Sequence, residues 1–230
     1  MAVKFDFHIH TRYSDGACNH LEVAEAAQAK NLEAIAYTDH GPQLSVGVPQ
    51  DKLNQMLQDI GLARSDSDFP IFASIEANII NGNGDLDVAA GFIKRLDFLA
   101  ASIHVIEGPI SMDTPHEYLA RARKAIERNK IDVFSHPFYF NADLLIGLNR
   151  REIEDFIDLA ASRGVAMEVN AKYKAPGENF LKLCLKKGVK LSIGSDAHRR
   201  SEVGRIEWAL SMLDRIGAKR EDLYLDSLVG

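Results

Sequence analysis

The chain has little that could tie it together covalently or hold it in a membrane. Its only cysteines, Cys18 and Cys184, stand alone, with no CxxC pair and no even framework of spacings. That excludes a disulfide scaffold and reads as reduced thiols in a cytoplasmic protein. No apolar run approaches the ~18 residues of a membrane span. The opening residues, MAVKFDFHIH, carry Lys4 and Asp6 where a secretory signal has its apolar stretch, so neither export nor membrane contact is expected. No Pro-, Gly- or Ser-rich stretch, low-complexity segment or internal repeat divides the 230 residues. The expectation is one domain over 1–230, long enough for a full core. Positive charge is also short: the net charge is −6 and the pI about 5.8. A nucleic-acid-coating surface is therefore disfavoured, although a local basic patch escapes such a count.

What the chain does have is a repeated strand-then-helix rhythm. In residues 3–10, Val3, Phe5, Phe7 and Ile9 alternate with Lys4, Asp6, His8 and His10, the period of a strand with two distinct faces. Further strands are expected at 33–38, 70–76, 97–104, 131–136, 165–170 and 189–195, seven in all. In the last, Val189, Leu191 and Ile193 face away from Lys190, Ser192, Gly194 and Asp196. Asn19 with Glu22, Thr114 with Glu117 (Pro115 taking the first helical position) and Asn149 with Glu152 each fit a helix capping box. NGNGDLD at 81–87 reads as a tight turn in the loop after the third strand. The ending, EDLYLDSLVG, has the pattern for a short extra strand.

Six of the seven strands carry His, Asp or Glu at or just beyond their C-terminal ends: His8 and His10, His40, Glu76, His104, His136, and Asp196 with His198. If βα units close into a barrel, those ends converge on one face, where barrel enzymes keep their chemistry. A single histidine at a strand end is more often a hydrogen-bonded core or surface residue. Recurrence at five ends is what points to a metal centre. His20 and His116 fall in first helical turns and read as ordinary surface residues, and Cys18 is unusual company for imidazoles and carboxylates. With Asp15 of the SDG loop the set has nine members, whereas one zinc takes about four ligands. If Glu76 bridges, two or three ions share the set with open positions left over. Zinc, manganese and iron all suit such mixed ligation.

HIHTRYSDG from His8, TDHGP around His40, EAN from Glu76, the lone His104, SHP around His136 and GSDAH ending at His198 resemble, in order, the motifs of the PHP (polymerase and histidinol phosphatase) superfamily. TDHGP followed by EANIINGNGDLD is most similar to its stand-alone YcdX-type phosphatases. The resemblance covers essentially the whole chain. It implies an α/β fold, a distorted seven-stranded (β/α)7 TIM-like barrel, with a trinuclear centre. By motif position, one ion falls to His8, His10, Glu76 and Asp196, a second to Glu76, His104 and His136, and a third to Asp15, His40 and His198. Three divalent ions are expected, zinc first, with manganese or iron as alternatives. YcdX-like members can carry a histidine one position past the site of Asp15, where this chain has Gly16. The resemblance also allows a homotrimer.

Such a centre suits hydrolysis of a small phosphomonoester by in-line attack of a metal-bridging hydroxide, with Glu76 as the bridge that positions it. Arg12, Lys172 and Arg199, with Arg200 beside it, lie in loops suited to phosphate contact. Asp39, Glu168 and Asn170 are expected to back the ligands or face substrate. The competing readings are a PHP-type phosphodiesterase or exonuclease, an amidohydrolase-type barrel, and a non-catalytic metal-binding regulatory domain. The amidohydrolase reading lacks a lysine near the end of the fourth strand to carry a bridging carbamate. The complete ligand set weighs against the regulatory reading.

Overall fold

The computed structural model describes residues 4–224 and 228. Strands and helices alternate along them: β1 (Phe5–Asp6), α1 (His20–Ala29), β2 (Ala34–Tyr37), α2 (Leu53–Ser65), β3 (Ile71–Ala73), β4 (Glu76–Asn78), α3 (Ala90–Ile93), β5 (Ala100–Ser102), α4 (Thr114–Arg128), β6 (Val133–Phe134), α5 (Arg150–Arg163), β7 (Ala166–Asn170), α6 (Glu178–Lys186), β8 (Leu191–Gly194) and α7 (Glu207–Ile216). Among the described residues these eight strands pair in parallel, in two sheets ordered β1-β2-β3 and β4-β5-β6-β7-β8. Parallel sheets need helical crossovers that cover them, and the strands are accordingly buried on both faces.

The expected strand 70–76 is two strands, because the segment serves two neighbours. Ile71–Ala73 pair with β2 and Glu76–Asn78 with β5, and the chain changes partner at Ser74 and Ile75. Val3 lies outside the described residues, and residues 4–10 form a shorter ladder than their alternation suggests, Phe5–Asp6 pairing with Ala34–Ile35. Beyond it the Phe7 N–H donates to Ile193 O at 2.8 Å, and Ile9 bridges Ala197. On the other side His40 bridges Glu76. The apolar parity holds: Phe5, Phe7 and Ile9 are core, the Phe7 ring lying 4.5 Å from Phe5 and 5.7 Å from Phe98.

Asn19 with Glu22 and Asn149 with Glu152 form reciprocal capping boxes on α1 and α5. Thr114 does not. The chain enters α4 one residue early, at Asp113, so Thr114 is already helical, Pro115 follows it, and the Thr114 hydroxyl accepts from the Ser111 N–H instead. The 81–87 turn is a small hairpin in which Ile79 pairs antiparallel with Leu86. In place of the expected short extra strand, Arg220–Asp222 form a 3-10 turn and Leu223 makes a single parallel bridge to Leu191; residues 225–227 and 229–230 lie outside the described residues. His116 is exposed and faces Glu152 at 3.4 Å. His20 is not a surface residue: it is buried, its ring edge-on to Tyr37 at 4.4 Å, because α1 turns that side onto β2. Both cysteines are free and buried. Among the described residues no helix is long and apolar enough to cross a membrane.

Candidate metal centre

Parallel strands place their C-terminal ends on one side, and the nine candidate residues gather there. Glu76 is the hub, fully buried at the start of β4. Its Oε2 lies 2.9 Å from His40 Nδ1, 3.4 Å from His8 Nε2, 3.4 Å from His104 Nε2 and 3.9 Å from His10 Nε2, while Oε1 meets His136 Nε2 at 2.9 Å. His8 Nε2 and His10 Nε2 face one another at 3.0 Å. Asp15 reaches His198 Nε2 at 3.2 Å and both His10 and His40 at 3.8 Å. Asp196 Oδ1 lies 3.7 Å from His10 Nε2 and 3.4 Å from His198 Nδ1.

Three overlapping groups could each hold a cation: His10, Asp15, His40 and His198; His8, His10 and Glu76; and His40, Glu76 and His104. In each, the ligand atoms lie within 4.8 Å of one another. The grouping differs in detail from the motif-based division, since His10 and His40 each sit in two groups, and His136 and Asp196 join through Glu76 and His10. The buried Nδ1 atoms of His10 and His136 have no hydrogen-bond partner, and the 2.9 Å contact between His40 Nδ1 and Glu76 Oε2 lacks hydrogen-bond geometry. Leaving such atoms bare costs about 1–3 kcal/mol each, and divalent cations of the kind that take imidazole and carboxylate would satisfy them. The donor set fits divalent metal ions.

Two of these residues also hold unfavourable backbone. His136 has φ of 29° and Asp196 φ of 53°, in the left-handed region that costs a side-chain-bearing residue about 1–3 kcal/mol. Protonation follows the same geometry. Burial opposes charge on Glu76, but His104 and His8 hold its carboxyl well below the usual range. Burial also opposes charge on His8, which Glu168 and Glu76 outweigh, raising it well above an ordinary histidine. His10 goes the other way: burial, with His40 and His8 beside it, pushes it well below an ordinary histidine.

Behind the candidate ligands stand further polar side chains that hydrogen-bond to them or to their loops. Glu168 Oε1 pairs with His8 Nδ1 at 2.8 Å, and Oε2 accepts from the His136 N–H at 2.5 Å and from Asn170 Nδ2 at 3.2 Å. Gly194 makes room for it, since a Cβ there would fall 1.9 Å from Glu168 Oε1. Asn170 Nδ2 also reaches Asp196 Oδ2 at 3.3 Å. Asp39 accepts from the Thr11 and Ser14 N–H groups and both hydroxyls, 2.6–3.2 Å, which staples the loop carrying Asp15.

Three further residues escaped the sequence reading. Asp6 accepts from Ser195 N–H, Ser195 Oγ and Gly204 N–H at 2.6–2.8 Å, locking the turn that presents Asp196. Asn78 Oδ1 meets His104 Nδ1 at 2.5 Å, and Asp87 accepts from both the Asn78 N–H, at 2.8 Å, and its Nδ2, at 2.6 Å. Because Asp87 takes the amide's NH2, Asn78 must offer its oxygen to His104. That puts the proton on Nδ1 and leaves Nε2 free toward Glu76. Parity pointed to Asp6, two before His8, and to Asn78, two after Glu76; nothing local marks Asp87.

Of the basic residues, Lys172 reaches the centre: its Nζ lies 2.8 Å from Asp196 Oδ1 and 3.3 Å from His198 Nδ1. Burial works against its charge, but Asp196 more than restores it, so its pKa stands above the usual lysine value. Arg12 is turned into its own loop and α1, donating to Ala17 O at 2.8 Å and pairing with Glu22 at 3.2 Å. Arg200 pairs with Glu25 at 3.0 Å. Arg199 is exposed on the loop after His198. Two cavities flank the cluster, one of about 320 Å³ bounded by Lys172, Asp196 and Trp208, the other of about 360 Å³ bounded by Asn78, His104 and Arg121.

Comparison with known proteins adds three findings. The PHP domain model matches residues 6–172. A protein of Caldicellulosiruptor bescii named "Probable phosphatase" is 31% identical over 211 residues, 90% of this chain and 85% of its own, and the DNA polymerase/3'-5' exonuclease PolX of Bacillus subtilis is 31% identical over 206 residues, 85% of this chain but 34% of that protein. The histidinol phosphate phosphatase of Lactococcus lactis, solved with zinc, L-histidinol and phosphate, shares the fold with a TM-score of 0.67 at 17% identity, over 94% of both chains.

Proposed function

The chain belongs to the PHP domain family, and from that membership we propose that it is a metal-dependent phosphatase acting on small phosphomonoesters, its 230 residues working as one domain. The two sheets act as one distorted barrel in which β3 and β4 are a single bent stave. The Phe7–Ile193 hydrogen bond and the His40–Glu76 bridge support that reading. One observation carries the function: imidazole nitrogens and carboxylate oxygens from six strand ends converge, buried and partly unpartnered, around Glu76.

The residues that would hold ions are His8, His10, Glu76 and Asp196; Glu76, His104 and His136; and Asp15, His40 and His198. Zinc is the first candidate, and a third ion distinguishes the trinuclear arrangement from a binuclear one. Divalent ions held there supply Lewis acidity, which makes water acidic enough to act as a nucleophile near neutral pH and draws charge from phosphoryl oxygens. Glu76 ties the ligand groups together. Glu168 and Asn78 fix the imidazole tautomers, so that Nε2 of His8 and of His104 faces the reacting space. Lys172, protonated beside Asp196, is placed to bind a phosphoryl oxygen.

The relative that is an exonuclease makes a diester substrate the reading to test against. Metal content of the purified protein, with hydrolysis of 4-nitrophenyl phosphate and of bis(4-nitrophenyl) phosphate, separates them. The expected result is two or three ions per chain, preference for the monoester, and loss of activity in His8→Ala and Glu76→Ala. Fewer than two ions sinks the multinuclear centre, and preference for the diester reverses the substrate assignment.

A further inference from the structure

The cavity beside Lys172 has a chemistry that the metal cluster does not explain. Its walls are the loop after β7, with Lys172 and Lys174, the end of β8 with Asp196, and the loop into α7 with Glu202, Arg205, Glu207 and Trp208. Both loops are braced. Asn170 and Ala175 exchange N–H···O bonds of 2.8 and 3.2 Å across the first, and within it Lys174 holds a left-handed φ of 54°. In the second, Glu202 Oε2 accepts from the His198 and Arg199 N–H groups at 2.9 and 3.1 Å, while Asp6 takes the Gly204 N–H at 2.8 Å. The cavity is therefore formed before any ligand arrives.

Its charges are unevenly committed. Asp196 is paired with Lys172, and Glu202 is occupied by backbone donors. Among the described residues the side chains of Lys174 and Arg205 have no ion-pair partner, and Glu207 is the one uncommitted carboxylate against them. Beside them stands Trp208, the chain's single tryptophan. The cavity at His104 has no such features: its arginine, Arg121, is bound to Glu117 and to Val105 O, and its remaining walls are largely aliphatic or amide.

Resting on the phosphatase reading, we infer that the cavity seats the alcohol half of the substrate, and that this alcohol is a single flat aromatic ring carrying a second anionic group. The indole supplies a face for the ring, and Arg205 with Lys174 meets the anion. At about 320 Å³ the cavity is at the small end of ligand sites, which suits one ring rather than an extended chain. Trp208 and Arg205 are then specificity residues for that ring and its charge, while Lys172 stays with the phosphoryl group.

The single tryptophan provides a readout independent of turnover. Metal-loaded protein is titrated with the non-hydrolysable 4-carboxybenzylphosphonate, benzylphosphonate and methylphosphonate while tryptophan fluorescence is followed. In parallel, each is tested as a competitive inhibitor of 4-nitrophenyl phosphate hydrolysis. Saturable fluorescence change is expected with the two aromatic probes, with the carboxylated one binding roughly tenfold more tightly, the size of one charge-assisted contact. Arg205→Ala, at an exposed position that does not threaten folding, brings that ratio close to one, and Arg205→Lys keeps part of it. If methylphosphonate inhibits as well as the aromatic probes and none perturbs the fluorescence, the inference fails and the phosphatase reading stands. If no phosphomonoester is hydrolysed and no phosphonate binds, both fall together.

Discussion

Asp87→Ala is the sharpest test of how the centre is aimed, because Asp87 touches no candidate ligand. Its carboxylate, 8% exposed, accepts from the Asn78 N–H, Asn78 Nδ2 and the Gln43 N–H at 2.8, 2.6 and 3.1 Å. Hydrogen bonds to a charged acceptor contribute about 1.5–3 kcal/mol each, and a buried donor left bare costs about 1–3 kcal/mol. The Gln43 donor is part-buried and regains water, whereas both Asn78 donors are buried; the expected loss is about 2–4 kcal/mol. For a chain of this length that is a Tm lower by roughly 5–15 °C. A purely structural residue would stop there. Here Asn78 also becomes free to flip its amide and turn its NH2 to His104 Nδ1, which favours the tautomer with a proton on Nε2. Loss of such orienting partners typically costs about 10–100-fold in metal affinity. The assay is competition with a chelating indicator for zinc, run beside thermal unfolding of metal-free protein, for Asp87→Ala, Asn78→Ala and the double variant. If the relay is real, metal affinity falls in both single variants and hardly further in the double. A lower Tm with wild-type metal affinity would refute the relay and leave Asp87 as a loop staple.

Glu168→Gln preserves shape but offers one oxygen to three donors, the His8 imidazole, the His136 N–H and the Asn170 amide. Calorimetric titration should show metal affinity about tenfold lower, and urea unfolding of metal-free protein a loss of about 1–3 kcal/mol; unchanged affinity would mean that His8 needs no such partner. Asp132 is pushed above its ordinary pKa by burial, only partly offset by the Leu99 N–H it accepts at 2.8 Å. A raised folded pKa means that ionisation costs folding free energy above that pKa, while below the unfolded value, ~3.9, both states are protonated and the cost vanishes. Asp132→Asn should therefore raise Tm at pH 7–8, the gain fading as pH falls toward 4; a gain independent of pH would show that the carboxylate's charge is not the cause.

Much of the site was legible because strand alternation is a local property. His8 and His10 share a face by parity, and so do Glu76 and Asn78, whatever the rest of the chain does. The capping boxes at Asn19 and Asn149 were legible for the same reason, since a reciprocal side-chain bond spans three residues. Thr114 misled because the entry angle of α4 is decided by what precedes it, and one extra helical residue at that end moves the hydroxyl onto Ser111. The partner change at Ser74–Ile75 was invisible for a related reason: an apolar alternation does not record which neighbour each half of a strand pairs with.

By itself the sequence determined that ligand-type side chains recur at strand ends, that they outnumber the roughly four ligands one zinc takes, and that their motifs are those of the PHP family. It did so because those are matters of residue type, spacing and order. Only the tertiary structure decided which of them meet. It made Glu76 the hub, shared His10 and His40 between ligand groups, and turned Arg12 toward Glu22 while bringing Lys172 to Asp196. It also buried His20, and it set Asp87 behind Asn78 and a tryptophan beside Arg205. These pairings join residues from loops and strands far apart in the chain, and their distances follow from how the sheets and helices pack, which no local period encodes.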